Sequence, residues 1–191
     1  MLSKKMTDAF EFARQMHGGQ LRKGTQTPYL SHLMAVSSLV LESGGNEEEA
    51  IAALLHDAVE DCGGLPVLEK IRQQFGESIA SIVKDCSEPE SIPKPPWKER
   101  KIAYIAQVAG AGDSVKRVAC ADKLHNLRSI LTDYQHAGDR VWDRFHADKE
   151  GMLWFYQSMV ETLRSFGQGV AIFVELEKRV GDLQRIVNIN K

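Results

Sequence analysis

The sequence has no long apolar run, no signal-like leader and very few cysteines. No apolar stretch reaches the roughly 18 residues that a membrane-spanning helix needs. The N-terminus runs directly into an amphipathic pattern, so we expect no secretory signal peptide. The three cysteines, Cys62, Cys86 and Cys120, show no Cys-x-x-Cys spacing. This argues against a disulfide framework or a zinc finger, and it indicates reduced thiols in a cytoplasmic protein.

The chain also lacks a strong charge of either sign. A formal net charge of −2 at pH 7 and a pI near 6.3 provide no general basic field. We therefore expect a small-molecule partner rather than nucleic acid, and no membrane association. The length of 191 residues predicts one domain over residues 1–191. The sequence does not specify the oligomeric state.

Strand-like alternation is absent, and apolar residues recur at helical spacing along almost the whole chain. This pattern predicts an all-α domain, a compact bundle of about nine to ten helices. The predicted helices cover residues 4–17, 28–43, 47–61, 66–75, 77–87, 97–109, 115–131, 147–166 and 170–187. Thr27 is the expected N-cap of the second helix, and Asn46 with Glu49 predicts a capping box at the third. The last helix packs either internally or in a dimer contact.

One segment cannot be a helix interior. Residues 88–96 contain four prolines, each of which removes a backbone donor and clashes with the preceding turn. This segment is expected to form a linker or a loop over a cleft.

A few polar residues stand in otherwise apolar helical segments, where burial is costly. They are His32, the adjacent pair His56 and Asp57, and Asp122. A lone histidine on such a face is more often a hydrogen-bonded core residue than a ligand. A buried carboxylate, however, requires a compensating charge, which a cation supplies. Imidazole suits transition metals and carboxylate suits harder ions such as Mn²⁺, so these residues together predict one divalent metal site.

The sequence around these residues resembles that of a known family. The order His, His-Asp, Asp is that of the HD-domain metal-dependent phosphohydrolases. Further similarity to the hydrolase domain of RelA/SpoT proteins and to stand-alone small alarmone hydrolases is carried by HGGQLRKG (17–24), PYLSH (28–32), ALLHDAVED (53–61), FG (75–76) and ADKLHN (121–126). The resemblance covers about residues 5–166 and leaves the helix at about 170–187 outside it. It implies an HD-domain helical bundle that uses Mn²⁺ to remove the 3′-pyrophosphate of ppGpp and pppGpp.

The resemblance also implies residue roles. His32, His56, Asp57 and Asp122 are then the metal ligands. Glu60 and Asp61 are catalytic residues that position or activate the attacking water. Both lie one helical turn after the His-Asp pair, which agrees with that role.

Substrate binding is implied for a different set of residues. Arg22 and Lys23 are expected to line the nucleotide pocket, and Asn126 to hold the substrate near the metal. Tyr156 is a further candidate for a pocket aromatic, although most such aromatic clusters belong to a core. His125, three residues after Asp122, is expected to lie behind the ligands rather than among them.

The proline-rich segment departs from the corresponding stretch of the alarmone hydrolases, and it leaves the identity of the substrate open. One alternative is an HD-type phosphohydrolase acting on another nucleotide or on a phosphomonoester. A second alternative is a non-catalytic nucleotide sensor. The presence of Glu60 and Asp61 beside a full ligand set favours an enzyme, because a sensor does not need a pair that activates water.

Overall fold

The protein is described by a computed structural model that covers residues 2–88 and 93–189. These residues form ten α-helices and one 3-10 helix, with no β-strand among them, so the all-α prediction is confirmed. Within the same residues, no helix combines the length and the apolar character of a membrane span. Of the proline-rich segment predicted at 88–96, residues 89–92 lie outside the described part of the chain.

The helices follow one another with short connections. Their bounds are α1 Lys4–His17, α2 Leu30–Glu42, α3 Glu47–Leu55, α4 Ala58–Cys62, α5 Leu65–Phe75, α6 Glu77–Cys86, α7 Trp97–Gly110, α8 Asp113–Ala137, α9 Lys149–Gly167 and α10 Ala171–Ile189. The 3-10 helix Gly138–Arg144 continues directly from α8, where the sequence pattern is less regular.

The core is built around α8, which at 25 residues is the longest helix. It packs against α2, α3, α6, α7, α9 and α10, and all ten α-helices contribute buried apolar side chains to one cluster. Burial of this apolar surface is the main term that favours folding. The last helix, α10, lies along α8 and α9 and so packs internally. One domain over residues 1–191 stays a prediction, which the continuous cluster supports.

The prediction of one helix over residues 47–61 is wrong. The structure ends α3 at Leu55 and begins α4 at Ala58, leaving His56 and Asp57 between the two helices. The imidazole Nδ1 of His56 lies 2.7 Å from the carbonyl oxygen of Ala53. In a continuous helix that oxygen accepts the backbone N–H four residues later, so the His56 ring competes with the backbone at this turn.

The second helix also begins later than predicted. It starts at Leu30 with Tyr29 at its N-cap, so Thr27 is not the capping residue. Instead, the carbonyl of Thr27 accepts the N–H of Arg22 at 2.8 Å, and the N–H of Tyr29 donates to the carbonyl of Gln20 at 2.9 Å. These two bonds close a loop after α1 and hold its residues beside α2.

The predicted capping box at the start of α3 is confirmed, and it supports a stability prediction. The side chain of Asn46 accepts from the N–H of Glu49 at 3.0 Å, and the Glu49 carboxylate accepts from the N–H of Asn46 at 2.8 Å. Replacing Asn46 by Ala removes the first of these bonds, so we expect the free energy of unfolding to fall by about 1 kcal/mol. Urea denaturation measures it. The exposed helical substitution Gln184→Ala is the control, and an unchanged urea midpoint for Asn46→Ala would contradict the role of the cap.

Candidate metal centre and active site

The four predicted ligands come together in the structure. Nε2 of His56 lies 2.9 Å from Oδ2 of Asp57 and 3.6 Å from Oδ1 of Asp122. Nε2 of His32, on α2, lies 3.6 Å from the same Asp57 oxygen and 3.3 Å from the same Asp122 oxygen. The ligand atoms of His32, His56 and Asp57 all lie within 4.8 Å of one another, and Asp122 of α8 joins them through its contacts with the two imidazoles.

The hydrogen bond behind His56 decides what it presents to this point. The carbonyl oxygen of Ala53 can only accept, so Nδ1 of His56 carries the proton and donates to it. Nε2 of His56 then directs a lone pair at the carboxylates of Asp57 and Asp122. Both this atom and Nε2 of His32 are buried without a hydrogen-bond partner among the described residues. Lone pairs and anionic oxygens facing one another in a core repel each other, and a cation between them removes that cost.

The separations between these atoms also fit a metal ion. Ligands held at about 2.0–2.2 Å from one ion lie roughly 3.0–3.5 Å from their neighbours. Burial alone would raise the pKa of both carboxyls. Lys123, however, holds the pKa of Asp122 well below its usual range. Asp122 is therefore available as an anionic ligand, and the two imidazoles and two carboxyls together fit a divalent cation.

Tyr29 is a site residue that the sequence analysis missed. Its hydroxyl donates to Oδ2 of Asp57 at 2.6 Å. Its ring stacks on His17, with 5.4 Å between ring centroids and 22° between planes. Burial and the Asp57 carboxylate raise the pKa of Tyr29, so the hydroxyl stays a donor. The available signal was its position three residues before His32, which places both residues on neighbouring parts of one helix face.

Side chains of α8 surround the Asp122 carboxylate. Nζ of Lys123 donates to Oδ2 of Asp122 at 2.5 Å, and the amide of Asn126 donates to Oδ1. Nδ1 of His125 lies 2.8 Å from Nδ1 of His32, which agrees with its expected place behind the ligands. Outer contacts of this kind fix ligand orientation.

A cleft of about 780 Å³ opens beside this cluster, and its lining includes the predicted Arg22, Lys23, Asn126 and Tyr156. The Arg22 guanidinium donates to Oδ1 of Asn126 at 2.9 Å and lies 5.8 Å from the centroid of the Tyr29 ring. Lys23 is exposed. Tyr156 is only 3% exposed, so it contributes little surface to a ligand.

The lining of the cleft as a whole is basic on some walls and apolar on others. The basic side chains are Arg22, Lys23, Lys101, Lys123, Arg128 and Arg144. The largest apolar side chains are Trp97, Phe145, Met152 and Phe155. Cationic groups attract phosphate, while aromatic and apolar surface packs against a flat ring. The cleft therefore suits a ligand that carries both a phosphate group and a flat ring.

Glu60 and Asp61 lie on α4, one turn after the His-Asp pair, and are not among the described residues that line the cleft. The Glu60 carboxylate accepts from the backbone N–H of Glu88 at 3.3 Å. The Asp61 carboxylate accepts from the side-chain amide of Gln20 at 2.8 Å. Partial desolvation raises the pKa of both groups, although both residues remain exposed, and for Glu60 the carboxylates of Glu88 and Asp57 raise the pKa further. A raised pKa is typical of carboxyls that exchange protons near neutral pH.

Comparison with known proteins identifies the class. The HD domain family matches residues 9–153. The chain is 35% identical over 126 residues to guanosine-3′,5′-bis(diphosphate) 3′-pyrophosphohydrolase MESH1 of Xenopus tropicalis, covering 64% of this chain and 68% of that protein. For MESH1 of Homo sapiens the identity is 32% over 129 residues, covering 66% and 69%. The chain therefore belongs to the HD domain family.

Solved structures show the same fold. One, described as a metazoan ortholog of SpoT that hydrolyses ppGpp, has a TM-score of 0.74 at 26% identity and covers 97% of this chain and 96% of its own. Another, lmo0812 from Listeria monocytogenes EGD-e, has a TM-score of 0.69 at 30% identity and covers 78% and 96%. The resemblance inferred from the motif segments is confirmed.

The hydrogen bond from Tyr29 generates a prediction about metal affinity. Tyr29→Phe removes the hydroxyl that orients Asp57 and leaves the ring in place. Loss of such an outer contact typically costs about 10- to 100-fold in metal affinity. Calorimetric titration with Mn²⁺ measures it. Tyr134→Phe is the matched control, because that ring packs on Trp142 instead. Equal affinities in the two variants would show that Tyr29 does not hold the ligand.

Proposed function

We propose that this protein is a Mn²⁺-dependent hydrolase that removes the 3′-pyrophosphate of guanosine alarmones. The reaction converts ppGpp or pppGpp, with water, into GDP or GTP and pyrophosphate. One observation carries the proposal: a cluster of two imidazoles and two carboxylates, with 2.9–3.6 Å between imidazole nitrogens and carboxylate oxygens, lies beside a basic and aromatic cleft. The relatives named as 3′-pyrophosphohydrolases support the choice of reaction.

In this proposal, His32, His56, Asp57 and Asp122 hold the ion. The mixed nitrogen and oxygen donor set supports Mn²⁺, because carboxylates suit harder ions and imidazoles suit transition metals. A divalent ion at this place lowers the pKa of water and offsets negative charge on a phosphate. Tyr29 and Ala53 orient the ligands Asp57 and His56 from behind.

The cleft residues bind the nucleotide. Arg22 is held by Asn126 and lies over Tyr29, so its planar guanidinium is oriented before substrate arrives. Lys23 adds an exposed point charge from the same loop. Asn126 can offer both a donor and an acceptor to the ribose or phosphate. Tyr156 supports the pocket wall from within.

Glu60 and Asp61 act on the water. Both carboxylates have a raised pKa and lie one helical turn beyond the ligand pair. A carboxylate in that position accepts a proton from the attacking water more readily than an ordinary surface carboxylate. Glu60 is tied to the backbone of Glu88 and Asp61 to Gln20, so each carboxylate has a defined direction.

The alternative substrate is another nucleotide or a phosphomonoester. The ion pairs of Glu88 favour this alternative. Glu88 begins the proline-rich segment that departs from the alarmone hydrolases, and its carboxylate is paired with Arg100 and, at 2.6 Å, with Lys101. Lys101 lines the cleft. The divergent segment thus sets the charge of one cleft wall and can change which nucleotide fits.

We further propose that the enzyme acts in the cytoplasm on a small molecule. The free thiols of Cys62, Cys86 and Cys120 support a reducing compartment. The net charge of −2 supports a local anion site rather than a nucleic-acid surface.

The substrate is tested by incubating the Mn²⁺-loaded protein with ppGpp and separating the nucleotides by anion exchange. We expect GDP and pyrophosphate. A parallel panel of adenine alarmone, other 3′-phosphorylated nucleotides and phosphomonoesters is run under the same conditions. Turnover of a panel member without turnover of ppGpp would contradict the substrate. Bound, intact ppGpp after long incubation would contradict catalysis and support a sensor.

The role of Glu60 is tested with Glu60→Gln, which keeps the size of the side chain and removes its basicity. We expect kcat to fall about 10²- to 10⁴-fold with a normal content of bound Mn²⁺. Glu69→Gln is the matched control, because Glu69 lies on α5 and pairs with its helix neighbours Arg72 and Gln73. A change confined to KM would make Glu60 a binding residue instead.

A further inference from the structure

We propose that Gln20 is a positioning residue for Asp61 and that His17 fixes the orientation of the Gln20 side chain. This inference rests on the proposed function, because it assumes that the Asp61 carboxylate directs the attacking water. The three side chains come from the end of α1, the following loop and α4. None of them belongs to the candidate metal ligands.

The hydrogen bonds of Gln20 define its orientation. Nδ1 of His17 lies 2.7 Å from Oε1 of Gln20, and Nε2 of Gln20 lies 2.8 Å from Oδ2 of Asp61. An amide oxygen can only accept, so His17 donates from Nδ1. The amide nitrogen of Gln20 must then face Asp61, to which it donates. A flipped amide would point its oxygen at the Asp61 carboxylate and its NH₂ group at the N–H of His17. Both contacts would be repulsive.

His17 is suited to this task because its ring is fixed by its surroundings. It is only 2% exposed, and one face stacks on the ring of Tyr29. Sγ of Cys62 lies 3.6 Å and 3.7 Å from its two ring nitrogens. The backbone of Gln20 is fixed as well, because its N–H donates to the carbonyl of His17 and its carbonyl accepts from Tyr29, both at 2.9 Å.

Asp61, in contrast, needs an external support. It is exposed, and α4 spans only five residues, so its own helix provides little packing. An unsupported surface carboxylate samples several rotamers, and selecting one of them for catalysis costs free energy at each turnover. The buried His17 and the half-buried Gln20 provide that selection in advance, as supporting groups do at built sites.

Gln20→Met is the direct test, because it keeps the length of the side chain and removes the donor to Asp61. We expect kcat for ppGpp to fall about 10- to 100-fold, with KM changed by less than about threefold. Gln15→Met is the matched control: Gln15 is on α1 and donates to Glu11 instead. His17 is left unchanged in this test, because its stacking on Tyr29 also supports the ligand Asp57.

A double-substitution cycle separates positioning from general damage. If Gln20 acts through Asp61, then Gln20→Met added to Asp61→Asn lowers kcat by less than about twofold beyond Asp61→Asn alone. A merely structural role predicts the full loss in both backgrounds, and that result would overturn the inference. Unchanged kcat in Gln20→Met alone would overturn it too.

A spectroscopic readout keeps this inference distinct from the proposed function. In the full chain loaded with diamagnetic Mg²⁺, ¹H–¹⁵N NMR of the neutral His17 ring is expected to show the proton on Nδ1, and Gln20→Met is expected to shift it toward Nε2. A neutral ring protonated at Nε2 in the unsubstituted protein would refute the arrangement whatever the substrate. Failure of ppGpp hydrolysis with an Nδ1–H ring would refute the substrate and leave the His17–Gln20 contact in place.

Discussion

The structure depends on a costly cluster of lone pairs and negative charges buried in its core. Two imidazole nitrogens each lie 2.9–3.6 Å from the carboxylate oxygens of Asp57 and Asp122, where α2, the α3–α4 junction and α8 converge. Lys123 lies 2.5 Å from Asp122 and offsets one negative charge, whereas among the described residues the Asp57 carboxylate is met by the Tyr29 hydroxyl and the imidazoles of His32 and His56. A divalent cation satisfies all four groups together. Without one, the arrangement costs more than an apolar core of the same size.

Other features of the fold position the side chains of this cluster. His56 takes the carbonyl of Ala53 and interrupts what would be one helix, and the interruption sets Asp57 and the α4 carboxylates at the edge of the cluster. The loop after α1 closes on itself, so that Arg22 reaches Asn126 on α8. The same centre that requires a cation is therefore bordered by a cleft whose cations and aromatic rings suit a nucleotide.

The helices and the candidate ligands were readable from the sequence because they leave local signals. Glycines mark helix ends, and Asn46 with Glu49 predicts a capping box. His56, Asp57 and Asp122 are polar residues within apolar segments. The break after Leu55 was not readable, because the apolar pattern continues through it and only a ring-to-backbone bond interrupts the helix. Contacts between distant segments, such as Tyr29 with Asp57, depend on the packing of helices and leave almost no local trace. The roles of Glu60, Asp61 and the cleft residues stay proposals.

The most direct test of the central claim is a crystal structure of the Mn²⁺-loaded protein with anomalous diffraction collected at the manganese edge. The account predicts one strong peak among Nε2 of His32, Nε2 of His56, Oδ2 of Asp57 and Oδ1 of Asp122, at about 2.0–2.4 Å from each. Elemental analysis of the same crystals should give one equivalent of metal per chain. A peak elsewhere, or none at this point despite full loading, would contradict the claim that a cation resolves the buried cluster.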